Sequence, residues 1–376
     1  MVQFVRYVFP PLFDTFQQTY GVSNTETGLL FTLLMLGYSA AQIPAGLMGD
    51  RFGEPLTILA GVGIFSLSTV GAFIAPTFTI LTLAAVLIGL GTGVHKTVAI
   101  PYLSKTYADR KGLALGIMDT VGQFGGVFAP VVVVAILASA LHWGSVFLLI
   151  TAVCLTLEFL FFVYTDLSFE TATPSVAADR SDSNPQIEDY LGIFRNRQLL
   201  LFLLVTTIFT FVWNGIASFY PLYLTSTKGL SPDVAGIIYS LLFVASVGQL
   251  FTGDVSDRYG RLRISLILFA SMIAGLGAIV ASASLWLILL FTVFMGIGLH
   301  GFRPVRDAYL MELIPTAIGG GTLGVVRTVM TVIGGLAPIF VGYVSDTVGF
   351  DVAFSILIGF LLIGSLGIIG LDRSRS

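Results

Sequence analysis

Apolar residues occur along this chain in long runs, separated by short segments rich in glycine, proline and charge. A helix needs roughly 20 mostly apolar residues to cross the hydrocarbon core of a bilayer, and the runs reach that length. They lack the alternation of about ten-residue strands that a membrane barrel requires. Because a helix satisfies its backbone hydrogen bonds within each span, the pattern predicts an all-α polytopic membrane protein.

The runs form two sets of six predicted spans. The first set covers residues 1–16, 25–49, 56–75, 78–104, 111–139 and 142–164. The second set covers residues 199–224, 231–253, 262–282, 284–312, 319–343 and 350–370. The polar stretch between the sets predicts a solvated linker. The predicted domains are therefore two six-helix bundles, residues 1–164 and 199–376, joined by a linker of residues 165–198.

Composition argues against a water-soluble fold and against several kinds of site. Hydrophobic residues make up 56% of the chain and charged residues 10%, with a mean hydropathy of +0.94, whereas soluble domains carry roughly 25% charged residues. The single cysteine, Cys154, allows no intramolecular disulfide, and no Cys/His metal spacing occurs. The net charge is −3 and the basic residues are scattered. We therefore expect no metal, no cofactor and no nucleic-acid partner.

The distribution of lysine and arginine predicts the orientation. Cytoplasmic loops of membrane proteins hold the excess of these residues. One set of alternate loops contains only Lys228. The other set and the chain end contain Arg51, Lys105, Arg110, Lys111, Arg180, Arg195, Arg197, Arg258, Arg261, Arg263, Arg373 and Arg375. Both termini and the linker are therefore expected to be cytoplasmic.

The two halves repeat each other at an offset of 207 or 208 residues. At offset 207, the group Gly46, Asp50, Arg51 and Gly53 matches Gly253, Asp257, Arg258 and Gly260. At the same offset, Gly89, Gly91, Lys96, Tyr102 and Leu103 match Gly296, Gly298, Arg303, Tyr309 and Leu310. Because each copy has six spans, two tandem copies in the same orientation follow.

The first span is shorter than its counterpart. Pro221 has 22 residues of the seventh span before it, while its counterpart Pro11 is preceded by only ten residues. We therefore expect that the first span is truncated, and that about a dozen of its residues and a cytoplasmic tail are missing from the sequence as given.

The segment from Gly46 to Gly53 resembles the G-x-L-x-D-R-x-G signature of the major facilitator superfamily. The second copy, from Gly253 to Arg261, matches it further. Glycine-rich fourth and tenth spans and a Gly-x-x-Ala-Pro sequence in the fifth and eleventh spans extend the resemblance over essentially the whole chain. The resemblance implies two tandem six-helix bundles that transport a small solute by alternating access.

The resemblance also implies a gating role on the cytoplasmic side for the signature residues. These are Gly46, Asp50, Arg51, Gly53, Gly253, Asp257, Arg258, Gly260 and Arg261. Physically, the first glycine of each copy would allow close helix approach, and the aspartate would accept hydrogen bonds from a neighbouring helix end. A departure is Glu54-Pro55, where the family usually has basic residues. The alternative is a tight two-helix turn with a solvated charge pair.

Several ionisable side chains lie within predicted spans, where each is costly unless it is paired or hydrated. Lys96 lies on the glycine face of the fourth span, and His300, Arg303 and Asp307 share a face of the tenth. In this family, spans one, four, seven and ten line the cavity. The equivalent cations Lys96 and Arg303 would then suit an anionic solute. The alternative is that Arg303 pairs with Asp307 while Lys96 reaches toward the cytoplasm.

Five further residues are weaker candidates. Arg6 on the first span and Trp213 and Asn214 on the seventh could add to the cavity lining. Asp119 and Arg327 occupy equivalent positions on the fifth and eleventh spans. A buried carboxylate that holds a proton could couple transport to protons. The alternative is that each of these two residues forms a structural ion pair.

The expected function is secondary active transport of a small solute across the cytoplasmic membrane by a functional monomer, with protons as a candidate coupling ion and an organic anion or drug-like compound favoured. A receptor or sensor with the same fold is the alternative. A membrane enzyme would need a catalytic constellation, and three histidines and one cysteine do not supply one. We therefore predict no catalytic residues.

Overall fold

The computed structural model describes residues 1–165, 196–314 and 319–373, without the side chains of Lys96 and residues 319–325. The chain divides into two compact units, Met1–Asp182 and Ser183–Ser376. The described part of each unit contains helices and turns and no strand. This confirms the all-α prediction. Most of the predicted linker, residues 166–195, lies outside the described residues, so the predicted domain boundaries stay a prediction.

The described residues of the first unit form seven α-helices. They are α1 (Val2–Val8), α2 (Phe13–Tyr20), α3 (Asn24–Phe52), α4 (Glu54–Phe73), α5 (Phe78–Thr106), α6 (Lys111–Leu137) and α7 (Ser145–Tyr164). Short 3-10 turns at Pro10–Leu12 and Ala108–Arg110 precede α2 and α6. In the second unit, the part of the chain that the structure describes forms eight α-helices. They are α8 (Arg197–Ser226), α9 (Pro232–Val244), α10 (Gln249–Tyr259), α11 (Arg261–Ala281), α12 (Leu285–Leu313), α13 (Gly319–Gly335), α14 (Ala337–Val348) and α15 (Phe350–Arg373).

Eleven helical segments among the described residues are long and apolar enough to cross a membrane. They correspond to predicted spans two to twelve. The segment that matches the eighth predicted span, Pro232–Tyr259, is interrupted by a 3-10 stretch at Ala245–Gly248. The predicted first span consists of α1 and α2, which the turn at Pro10–Leu12 separates. Proline cannot donate a backbone hydrogen bond, which accounts for this break.

Single glycines connect the helices at both copies of the signature. Gly53 joins α3 to α4 with φ 87°, and Gly260 joins α10 to α11 with φ 96°. Side-chain-bearing residues rarely adopt this region of φ, so glycine is needed at each joint. Asp50 and Arg51 therefore lie in the last turn of α3 and not in a loop. The two sequence copies build the same turn.

Glycines of the fourth and tenth spans allow the close packing of α5 and α12. A Cβ placed on Gly89 would lie 2.1 Å from the carbonyl oxygen of Leu34 in α3. A Cβ on Gly298 would lie 2.7 Å from the carbonyl oxygen of Leu268 in α11. The signature glycines behave differently, since a Cβ on Gly46 would have its nearest neighbour at 4.0 Å.

A Cβ on Gly253, the counterpart of Gly46, would have no neighbour within 4 Å. The expectation that these two glycines permit close helix approach is therefore wrong. Each leaves room beside its helix instead of filling a tight contact, unlike the glycines of α5 and α12.

Candidate functional site

A cation stacked on an aromatic ring forms the centre of the candidate site in the second unit. The guanidinium carbon of Arg303 in α12 lies 4.4 Å from the ring centroid of Trp213 in α8. Trp213 is buried, and Arg303 is half-buried. An arginine stacked on an aromatic face is attracted by the ring quadrupole. Stacking uses the face of the guanidinium, whereas its five N–H donors point outward in the plane of the group.

His300 lies beside the same tryptophan, one turn before Arg303 on α12. Its ring centroid is 5.0 Å from that of Trp213 and 5.9 Å from that of Phe243 in α9. The side chain is fully buried, and neither ring nitrogen has a hydrogen-bond partner among the described residues. Buried polar groups are nearly always hydrogen-bonded, so this histidine is unusual.

Asp307, the last candidate on α12, forms an ion pair with its neighbour Arg306 at 2.8 Å. The guanidinium of Arg306 lies 6.0 Å from the ring centroid of Phe209, which is one turn before Trp213 on α8. Arg306 was not among the candidates predicted from the sequence, although it is one of the few basic residues within a predicted span. Its proximity to α8 becomes visible only in the tertiary structure.

Asn214 is not part of this group, although it follows Trp213 directly. Its amide nitrogen donates to the carbonyl oxygen of Thr210 at 3.1 Å. A Cβ placed on Gly334 of α13 would lie 3.1 Å from the same amide nitrogen. Successive helix positions point about 100° apart, so Trp213 faces α12 while Asn214 faces α13.

A second stacked arginine occurs in the first unit. The guanidinium carbon of Arg6 in α1 lies 4.4 Å from the ring centroid of Tyr38 in α3. Both residues are half-buried. Lys96 is part of α5, but its side chain lies outside the described residues. Its predicted place in a cavity therefore stays a prediction.

In the second unit, Arg261 connects the signature to the end of α12. Its guanidinium pairs with Asp257 at 3.0 Å and with Glu312 at 2.7 Å, and it donates to the carbonyl oxygen of Ala308 at 2.7 Å. Asp257 accepts these hydrogen bonds from the side chain of the first residue of α11. Arg258 pairs with Asp254 at 2.9 Å on an exposed surface.

In the first unit, the same connection exists with the charges exchanged. Glu54, the first residue of α4, pairs with Lys105 near the end of α5. At the offset of 207, these positions correspond to Arg261 and Glu312. The departure at Glu54 is therefore matched by a lysine at position 105, and the link between the two helix ends is kept. Comparing positions 105 and 312 in the sequence could have revealed this reversal.

Asp50 does not repeat the role of Asp257. It is exposed, and no hydrogen bond joins it to a neighbouring helix among the described side chains. The residue one turn later is Glu54, whose negative charge cannot serve as a donor. The expected hydrogen bond from a neighbouring helix end is therefore found in one copy only. Arg51 lies with its guanidinium carbon 5.3 Å from the ring of Phe52.

Asp119 and Arg327, the predicted proton-coupling pair, both lie on exposed faces of their own helices, α6 and α13. The hypothesis depended on a buried carboxylate, and Asp119 is not buried. Burial within the protein therefore gives no reason for Asp119 to hold a proton. Its coupling role stays a prediction without that support.

The chain matches the family model described as Major Facilitator Superfamily over two overlapping stretches, residues 1–246 and 202–376. The hexuronate transporter of Bacillus subtilis (strain 168) is 23% identical over 373 residues, which cover 94% of this chain and 87% of that protein. A probable sulfoacetate transporter of Cupriavidus necator is 27% identical over 380 residues, which cover 92% of this chain and 85% of that protein.

The fold is also that of solved transporters. The crystal structure of a D-xylose-proton symporter superposes with a TM-score of 0.81 at 17% identity, over 98% of this chain and 94% of that one. The family match and the named relatives confirm the expectation of a transporter and not an enzyme. With its eleven apolar helices of membrane-spanning length, the chain is a multi-pass membrane transport protein that belongs to the Major Facilitator Superfamily.

Proposed function

We propose that this protein is a secondary active transporter that moves a small organic anion across the cytoplasmic membrane by alternating access. The observation that carries the proposal is the guanidinium of Arg303 stacked on Trp213 at 4.4 Å. A charged group within a membrane span marks a functional site by default, and its partner is usually an opposite charge. An anionic solute is the partner that this group fits.

The chemistry of the stacked guanidinium favours an oxyanion. Its planar fork of N–H donors matches carboxylate, sulfonate and phosphonate groups in a bidentate geometry. Stacking on the indole fixes the plane of the fork, so less conformational entropy is lost when an anion binds. Trp213 is therefore proposed to orient Arg303, and Arg303 to bind the charged group of the solute.

The ion pairs along α12 also support an anionic solute. Asp307 is paired with Arg306, and Glu312 is paired with Arg261 of α11. Both carboxylates of the helix thus form ion pairs with arginines. Together with Arg6 over Tyr38 in the first unit and the candidate Lys96, the cations within the spans favour a negatively charged solute.

The names of the relatives are consistent with this choice. Hexuronate and sulfoacetate, in the names of two relatives, are both small organic anions. A proton as the coupling ion is supported by the symporter among the structural neighbours, whose named solute, D-xylose, is uncharged. The solute class therefore depends on Arg303 and not on the fold.

The test is anion uptake into proteoliposomes that contain the purified full chain, with labelled glucuronate and sulfoacetate as probes. Arg303→Ala is expected to raise KM for the anion about 30-fold or more, because loss of one partner of a desolvated charge pair costs 2 kcal/mol or more. Arg303→Lys keeps the charge but loses the planar fork, so an intermediate KM is expected.

Arg110→Ala is the matched control, because Arg110 is an exposed arginine in the turn before α6. It is expected to transport like the wild type. Uptake of neutral or cationic solutes only, or an unchanged KM in Arg303→Ala, would show that Arg303 is structural and that the anion proposal is wrong.

We further propose that the signature residues gate the cytoplasmic side, that both termini are cytoplasmic and that a monomer is functional. Arg261 supports the gating role, because one side chain links the ends of α10, α11 and α12. The excess of lysine and arginine in one set of loops supports the orientation.

A further inference from the structure

His300 is a buried titratable group for which anion binding alone gives no role. It is 0% exposed, and neither of its ring nitrogens has a hydrogen-bond partner among the described residues. Leaving a buried polar group unsatisfied costs about 1–3 kcal/mol relative to satisfying it. If packing among aromatic rings were the only role of the neutral imidazole, phenylalanine could take its place without loss of function.

The aromatic side chains that face His300 come from α8 and α9. Trp213 faces it from α8 and Phe243 from α9. The next residue of α12, Gly301, faces Thr252 of α10 and Leu268 of α11, which carry no charge. Among the described side chains in these contacts, no carboxylate approaches the imidazole.

Arg303 is the cation closest to His300 in the cluster, because the two side chains share the ring of Trp213 and lie one turn apart on α12. A positive charge in this position disfavours a second positive charge on the imidazole.

The protonated ring of His300 also needs an acceptor for its N–H groups. The carbonyl oxygen of Leu242 in α9 points toward α12, since it would lie 2.9 Å from a Cβ on Gly296, one turn before His300. This oxygen is the acceptor that α9 offers to the N–H of the protonated imidazole.

We propose that His300 carries the coupling proton, and that an anion bound to Arg303 permits this protonation by neutralising the charge that opposes it. The inference rests on the proposed anion transport. Binding is reciprocal, so the anion favours the proton and the proton favours the anion. One proton adds to an imidazole nitrogen on the side where the anion enters, and it leaves that nitrogen on the other side when the anion dissociates.

This assignment differs from the pair Asp119 and Arg327, which the sequence suggested. Both of those residues are exposed on their own helices. His300 is buried beside the cation that the anion is proposed to bind, so its protonation responds directly to occupancy of that site. The coupling device and the binding group then belong to one turn of α12.

The test compares two transport modes in proteoliposomes, with labelled glucuronate and sulfoacetate as probes. A one-unit pH gradient drives about tenfold accumulation through one-to-one coupling, whereas exchange of internal for external anion without a gradient needs no net proton movement. His300→Gln, which cannot be protonated, is expected to lose the gradient-driven accumulation while anion exchange continues. His300→Phe, which fits the aromatic surroundings, serves as a second variant for the case that His300→Gln does not fold.

The matched control is His95→Gln, since His95 in α5 also has a buried ring nitrogen without a partner. It is expected to accumulate anion like the wild type. A direct measurement accompanies the fluxes: adding anion to wild-type protein in weakly buffered detergent solution should cause proton uptake, and adding it to His300→Gln should cause none.

Each outcome decides the proposal. Accumulation that survives in a folded His300 variant overturns it, and so does a folded variant that has lost exchange together with accumulation, because His300 then serves binding or packing. Loss of accumulation in His95→Gln as well also overturns it. A wild type that exchanges anions but ignores the pH gradient defeats only this inference, whereas a wild type that moves no anion defeats the proposed function.

Discussion

At the scale of single residues, Lys228 has more contacts than its place in a short connection would suggest. Its ammonium group donates to the carbonyl oxygen of Val280 at 2.7 Å and lies 3.8 Å from the carboxylate of Asp351. The hydroxyl of Tyr223 donates to the same carboxylate at 2.7 Å. The lysine side chain is only 8% exposed to solvent. These contacts therefore join the ends of α8, α11 and α15 at a position that is largely shielded from solvent.

Lys228→Met is therefore expected to lower the Tm of the purified protein by a few degrees. Methionine keeps most of the volume but leaves the Val280 carbonyl without its donor, a loss of about 1–3 kcal/mol. Lys111→Met is the control, because Lys111 is exposed at the start of α6, and its Tm should not change. Equal Tm values for both variants would contradict this role of Lys228.

The sequence could predict candidate residues of the site, but not always their neighbours. Arg303, His300 and Trp213 were predicted as candidates and lie together. Asn214 was predicted with them and faces another helix. Helical periodicity alone separates adjacent positions by about 100°, so this distinction was available from the sequence. The partner of Arg6, Tyr38, could not be predicted, because the two belong to different helices.

At the scale of helices, the apolar runs predict most of the fold, because each span must satisfy its own backbone within the bilayer. Nine of the twelve predicted spans match continuous helices within a few residues, and the first, eighth and eleventh are interrupted. The 3-10 stretch at Ala245–Gly248 was not predicted, since it contains no proline. Mid-helix 3-10 segments depend on tertiary packing, which a single sequence does not reveal.

The reversed ion pairs are also a property of helix ends. Glu54 with Lys105 links α4 to α5, and Arg261 with Glu312 links α11 to α12. If the attraction between opposite charges is what stabilises the protein here, either helix of the pair can carry the negative charge. Glu54→Lys and Lys105→Glu are each expected to lower Tm, because each places like charges together, and the double variant should recover most of the loss.

The expected coupling between the two substitutions is about 1 kcal/mol, measured as a double-mutant cycle on Tm. Asp254→Ala is the control, since it removes the partner of Arg258 at a site where both side chains are more than half exposed. Its Tm is expected to change little. Additive losses in the double variant would mean that Glu54 and Lys105 act separately.

At the scale of the whole molecule, the structure has two compact units built from two copies of one sequence pattern. The matched glycine joints at Gly53 and Gly260 are the clearest structural expression of the repeat. The loop charges predict the orientation of each unit in the membrane.

Site-directed labelling tests that orientation. In a Cys154→Ser background, Thr227→Cys is expected to react with a membrane-impermeant maleimide in intact cells, because residue 227 is exposed in the predicted outer connection after α8. Asp109→Cys, exposed in the turn before α6, should react only after the membrane is made permeable. The opposite pattern would invert the proposed topology.

The exchanged charges also constrain how the two halves can evolve. Recombination between the repeats that copied only the start of α11 into the first half would place an arginine opposite Lys105, and the reverse event would place a glutamate opposite Glu312. Either product would bring like charges together at a helix end. A helix start exchanged between the repeats would therefore keep its ion pair only if the matching residue of α5 or α12 were exchanged with it.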